Sequence, residues 1–119
     1  MPLSAREYLQ HVLDEIAYVR KSSQGLDKAA FLQDETLKRA YVRSIEVIGE
    51  AIKQMPEALR QKYGTVEWRA IAGMRDRLIH GYFGVDYEIV WDVIANKLSA
   101  LEQEIQQIIA REYPKYSLS

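Results

Sequence analysis

The stretch DETLKRAYVRSIEVIGEAIKQMP, residues 34–56, places apolar side chains at Leu37, Tyr41, Ile45, Ile48 and Ile52. The steps are four, four, three and four residues, the period of one face of an α-helix, and charged residues fall between them. Asp34 stands where a helix N-cap belongs. Pro56 disfavours helical geometry in the residue before it, so the spacing predicts a helix from near Asp34 to just short of Pro56.

The same period recurs on both sides. Upstream, Leu9, Val12, Leu13, Ile16 and Val19 form a stripe that predicts a helix from the N-cap candidate Ser4 to before Gly25. Downstream, Pro56 suits the first turn of a short helix through Leu59, closed by Gly64. A further helix is expected after Thr65, running to about His80. Asp86 is the N-cap candidate for the last and longest helix, although Ile89 stands where a capping box would have Glu or Gln. Its apolar residues Ile94, Leu98, Leu101, Ile105 and Ile108 alternate four and three apart, a heptad seam, and Pro114 ends it. The two glycines of His80-Gly81-Tyr82-Phe83-Gly84 mark a sharp turn between helices. No strand pattern competes. The expectation is an all-α, antiparallel up-and-down bundle of four main helices plus a short one, with residues 1–119 forming a single domain.

Composition narrows the function. The chain has 119 residues, 48% hydrophobic and 28% charged, enough to bury a core. The net charge of −1 excludes a uniformly basic coat, so any RNA contact must come from a local cluster. There is no cysteine, which rules out disulfides and thiolate metal sites. No apolar run has the length of a membrane span and no signal-peptide pattern opens the chain, so a cytoplasmic protein without membrane contact is expected.

Residues 74–83, MRDRLIHGYF, concentrate the chemistry-bearing side chains. Metal-independent cleavage of RNA requires a group that exchanges protons near neutral pH, and His80 is of that type. It requires a cation to stabilise charge on phosphorus, and the forked donors of Arg75 suit that task. Asp76, four residues before His80, would share a helical face with it and could orient the ring. On an ideal helix Arg75 and His80 lie roughly 140° apart. Three arrangements would bring them together: the Arg75 side chain bends round, the helix unwinds at Gly81, or a second subunit completes the site. Ile71, Met74 and Leu78 mark the inner face. Gly73, on the outer face with Arg69, Asp76 and His80, would admit a symmetry-related helix, and a two-fold pairing would place two histidines and two arginines in one cleft.

Other candidates read more simply. Trp68 and Trp91 suit the core or an interface, His11 has no partner pattern and suits the surface, and Ser22 and Ser23 lack the His and Asp that would make either a nucleophile. A single histidine per site, with no HExxH or carboxylate–histidine cluster, points to neither a metal nor a cofactor.

The spacing Arg75-x4-His80-x-Tyr82 resembles the motif of HepT-like HEPN toxins. The polar Asp76 after the arginine, the following Val85-Asp86 and Val90-Trp91, and the upstream segment from Arg43 to Ala51 are similar to the same family. The similarity spans about Leu3 to Tyr113. The resemblance implies a homodimeric helical bundle whose two motifs face a shared cleft. It implies the toxin of a toxin–antitoxin pair, a metal-independent endoribonuclease in which the RNA 2′-hydroxyl attacks the adjacent phosphorus. Arg75 and His80 would be catalytic, and Asp76 and Tyr82 supporting. Its partner would be a minimal nucleotidyltransferase antitoxin that transfers AMP from ATP to Tyr82. Arg69 and Arg77, doubled across a dimer, are candidates to bind an RNA substrate, tRNA among them. Two non-enzymatic readings stand beside this one: a helical companion subunit of a nucleotidyltransferase, and a plain dimerisation bundle.

Overall fold

The computed structural model describes residues 3–80 and 84–116, the side chain of Tyr116 excepted. Among these residues the chain is an all-α, HEPN-like bundle of eight helices and one 3₁₀ turn: α1 (Ala5–Ser22), α2 (Lys28–Gln33), α3 (Glu35–Lys53), α4 (Glu57–Lys62), α5 (Trp68–Ala72), α6 (Met74–Leu78), α7 (Tyr87–Asn96), α8 (Leu98–Glu112) and the turn Pro114–Tyr116. The only pairing outside helices among them is an isolated antiparallel bridge between Ile79 and Val85.

The two periodic stripes upstream form the helices expected of them. Ser4 caps α1 through a complete capping box: its side chain accepts from the Glu7 N–H while the Glu7 carboxylate accepts from the Ser4 N–H. Leu9, Val12, Ile16 and Val19 are buried against α3, which presents Tyr41, Ile45, Ile48 and Ile52 in return. Burying each aliphatic side chain of this seam contributes roughly 1.5–3 kcal/mol. Asp34 caps α3 by accepting from the Leu37 N–H. Pro56 precedes α4 as its N-cap, one position earlier than expected.

Three local expectations are corrected. A short helix, α2, stands in the connection between the first two stripes. Asp27 caps it, and its one buried residue, Phe31, stacks on Tyr41 at 5.7 Å and packs against Trp91 at 5.4 Å. Six residues are too few to display a helical period. The helix expected from Thr65 to His80 is two five-residue helices joined at Gly73 and ending at Leu78. Glycine is the poorest non-proline helix former and here sits half-buried at the joint, not on an open outer face. The last helix divides at Lys97, so α3, at 19 residues, is the longest among the described residues. The two parts of that last helix have different neighbours: α7 packs on α2, α3 and α6, whereas α8 packs on α1.

Gly49 does more than its place in a helix suggests. A Cβ there would lie 3.4 Å from the carbonyl oxygens of Ile71 and Ala72. The missing side chain lets α5 rest its C-terminal end directly on α3, and α6 is thereby carried across the middle of that helix.

Candidate functional site

The candidate site begins where α6 stops. Leu78 is fully buried and anchors the helix end, and Ile79 leaves helical geometry with φ −105° and ψ 114°. The backbone then returns on itself. His80 N–H donates to the Gly84 carbonyl at 2.7 Å, and Asp86 N–H donates to the Leu78 carbonyl at 2.7 Å. Gly84 has φ +90°, a conformation that favours glycine. Asp86 then caps α7 by accepting from the N–H groups of Glu88 and Ile89, which confirms the N-cap assignment without a Glu or Gln at the third position. His80 therefore lies on the first leg of a clasped turn, with its side chain exposed. Tyr82, with Gly81 and Phe83, lies outside the described residues.

Arg75 emerges from the α6 face that meets α3. Its Nε donates to Glu46 Oε2 at 3.0 Å, an ion pair between residues 29 apart in sequence. The Arg75 side chain is 52% exposed and that of Glu46 27%. Glu46 thus holds the guanidinium by its inner nitrogen. Among the described residues nothing else takes the donors of the guanidinium's terminal amino groups, the pair that matches a phosphate edge. Sequence reading singled out Arg75 but not Glu46. A lone acid on the border of a helical stripe carries no signal until tertiary packing brings an arginine to it.

The remaining candidates do not converge on this pair. Asp76 is exposed, and among the described residues no hydrogen bond or ion pair joins it to His80. The expected shared helical face is lost because the helix ends at Leu78. Arg77, two positions beyond Arg75 and so roughly 200° round the helix, lines a different groove of about 460 Å³ between α5–α6 and α7–α8, with Glu67, Asp92, Lys97 and Glu104. Burial pushes the Glu104 carboxyl up, and the Glu67 carboxylate adds to the effect. Arg69 lines a third depression beside Glu57, Arg60 and Trp68. Trp68 is buried and donates its indole N–H to the Tyr63 carbonyl at 3.1 Å, and half-buried Trp91 packs on Phe31, so both are core residues. Among the described residues no cluster of three or more His, Asp or Glu side chains is placed to hold a metal ion, and no helix is long and apolar enough to cross a membrane.

The described residues offer an anchored guanidinium, with no partner described for its terminal amino groups, and an exposed imidazole five residues along the chain. Comparison with known proteins agrees with the motif. The profile of the family described as Ribonuclease HepT-like matches residues 12–108. A protein of Caldanaerobacter subterraneus subsp. tengcongensis named "Putative RNase" is 44% identical over 107 residues, covering 90% of this chain and 96% of its own. One of Methanocaldococcus jannaschii, also named "Putative RNase", is 40% identical over 104 residues, covering 87% and 86%. A Thermococcus cleftensis protein named "Probable ribonuclease HepT" is 31% identical over 108 residues, covering 91% and 98%. No solved structure matches significantly. With a profile match across most of its length and relatives of its own size, the chain belongs to the HepT-like ribonuclease family.

Proposed function

We propose that this chain is the ribonuclease toxin of a toxin–antitoxin pair, cleaving RNA without a metal ion in a cleft shared by two copies of the chain. The observation that carries this reading is the anchoring of Arg75 Nε on Glu46, which leaves the outward guanidinium edge for a phosphate. In the reaction the RNA 2′-oxygen attacks the neighbouring phosphorus while a His80 imidazole takes its proton. The guanidinium of Arg75 stabilises the charge that accumulates on the non-bridging oxygens. The bond to the 5′-oxygen breaks, and that oxygen takes a proton from the His80 imidazolium, the protonated form, of the second copy. The products are a 2′,3′-cyclic phosphate and a 5′-hydroxyl. The two-copy arrangement answers the geometry of one chain, in which nothing described joins His80 to Arg75. Asp76 then acts on the cleft from the neighbouring surface, and Arg69 and Arg77 guide RNA, tRNA among the substrates, from outside it.

The partner in this reading is a minimal nucleotidyltransferase antitoxin. The Tyr82 phenol oxygen attacks the α-phosphorus of ATP and pyrophosphate leaves, so that one AMP is joined to the chain two residues from His80. Its phosphate would occupy the cation meant for RNA and repel incoming strands.

The test uses purified chain and a defined RNA in excess EDTA, beside His80→Ala. Cleavage that survives EDTA and disappears in the variant is expected. Equal residual cleavage by both proteins would overturn the reading and favour a companion subunit of the nucleotidyltransferase. For the modification, incubation with the nucleotidyltransferase and ATP should add one AMP to the wild type and none to Tyr82→Phe.

A further inference from the structure

Helix α3 presents to solvent a stripe of four residues that the Arg75 contact borders. Taking Arg43 as zero on an ideal helix, Val47, Glu50 and Gln54 fall within roughly 40° of it, and Glu46 lies about 60° to one side. On the Glu46 side stands Arg75. On the other side α1 packs along α3 and contributes Tyr8 and His11. Between α1 and the stripe runs a groove of about 260 Å³ lined by Tyr8, His11, Arg43, Val47, Glu50, Ala51 and Gln54.

The chemistry of this groove is that of a nucleotide seat. Val47 and Ala51 give it an apolar floor, and half-buried Tyr8 lines its wall. Arg43 is exposed and has no carboxylate partner among the described residues, whereas Glu50 is already engaged by Lys53 at 3.3 Å. Exposed His11 and the amide of Gln54 add hydrogen-bonding groups. The volume is below the roughly 300–1,000 Å³ that encloses a whole small ligand, so the groove suits one unit of a longer chain. The chain's net charge of −1 gives it no general attraction for RNA, so binding depends on local cations, and Arg43 is such a cation one helical turn from Glu46, the residue that anchors Arg75.

We propose that the groove between α1 and α3 is a substrate subsite that seats one nucleotide of a single-stranded RNA flanking the bond to be cut. Its base lies on Tyr8 and its phosphate on Arg43, with His11 beside it. The proposal rests on the nuclease reading for the direction of the strand, which crosses α3 from Arg75 to Arg43. Stacking on an aromatic ring plus one phosphate contact is the usual basis of sequence-tolerant single-strand binding.

The test is binding, which requires no cleavage. Fluorescence anisotropy is measured on an RNA of about twelve nucleotides made wholly of 2′-O-methyl riboses, at several salt concentrations. Arg43→Ala should weaken binding about tenfold and lower the slope of log Kd against log salt by about 0.7, the signature of one lost phosphate contact on a single strand. Arg43→Lys should restore the slope. Tyr8→Leu should weaken binding about tenfold with the slope unchanged; if that variant does not fold, the Arg43 pair decides. An Arg43→Ala protein with wild-type affinity and slope would overturn the proposal, as would a wild type that binds no RNA. The nuclease reading is judged separately. A wild type that fails to cut cleavable RNA while showing the Arg43-dependent slope keeps the groove and loses the nuclease. Cutting by wild type with no Arg43 effect on binding does the reverse.

Discussion

Helices α1 and α3 run 18 and 19 residues, carry side-chain caps at their N-termini and bury long apolar stripes against each other, while α5 and α6 run five residues each without side-chain caps and end in a clasped turn. Each pair is held in a different way. The long pair is held by its own periodicity. The short pair is held from outside, by Gly49 admitting the α5 backbone, by Leu78 buried at the end of α6, and by the hydrogen bonds that flank the turn. The motif arginine sits on the second pair and the motif histidine just beyond its end. The long helices bury one face each and keep an exposed one, whereas the short α6, wedged against a long helix, turns most of its residues to the surface.

The contrast predicts that the two regions fail in different ways. His80→Ala should lower RNA cleavage by about 10²- to 10⁴-fold, the contribution of a proton-transfer group, with a thermal midpoint matching wild type because the side chain is exposed. A matching fall in the midpoint would show that the turn is structural. Ile48→Ala, in the fully buried seam, should cost about 2–5 kcal/mol in urea denaturation, and a cost under about 1 kcal/mol would break the claim that this seam dominates stability.

Gly49→Val probes the contact between the two regions. Its Cβ would already lie 3.4 Å from two carbonyl oxygens, so the added methyl groups must push α5 away, at about 1–3 kcal/mol. Cleavage should fall further than stability alone explains, since α6 moves with α5. Glu46→Ala should change stability by at most about 1 kcal/mol, as expected of a partly exposed pair, yet reduce kcat by releasing Arg75. Glu46→Gln, which keeps an oxygen for the Arg75 Nε, should recover most of that loss. Equal activity in all three proteins would remove Glu46 from the site.

The smallest effect concerns an ion pair remote from the motif. Glu112 accepts from Tyr63 Oη at 2.6 Å and pairs with Lys62 at 2.7 Å, and these bonds hold its carboxyl below the usual range. A carboxyl depressed in the folded state stabilises above its unfolded pKa and loses that contribution as pH falls through the folded value. The stability difference between wild type and Glu112→Gln should therefore be present at neutral pH and vanish as the carboxylate is protonated in acid, measured by thermal melts along a pH series. A difference that persists in acid would mean that packing, not charge, is the source.

Periodicity, caps and breakers in the amino-acid order were enough to place α1, α3, the capped start of α7 and the apolar seam running into α8, because each depends on residues a few positions apart. Arg75, His80 and Tyr82 are joined into one short motif by resemblance to HepT-like toxins, not by period or capping. Local logic failed where distance along the chain gives no warning. Gly73 weakens a helix without announcing that it will split there, and what lies beside the joint, α5 resting on Gly49 of another helix, is not written near it. Nothing near Arg75 reveals Glu46, 29 residues away, and although the two-residue step from Arg75 to Arg77 turns them to opposite sides of a helix, only the packing of α6 between α3 and α7 decides what each side meets. Short-range order follows from backbone geometry and side-chain period. The company each functional side chain keeps depends on long-range packing, which no local pattern encodes.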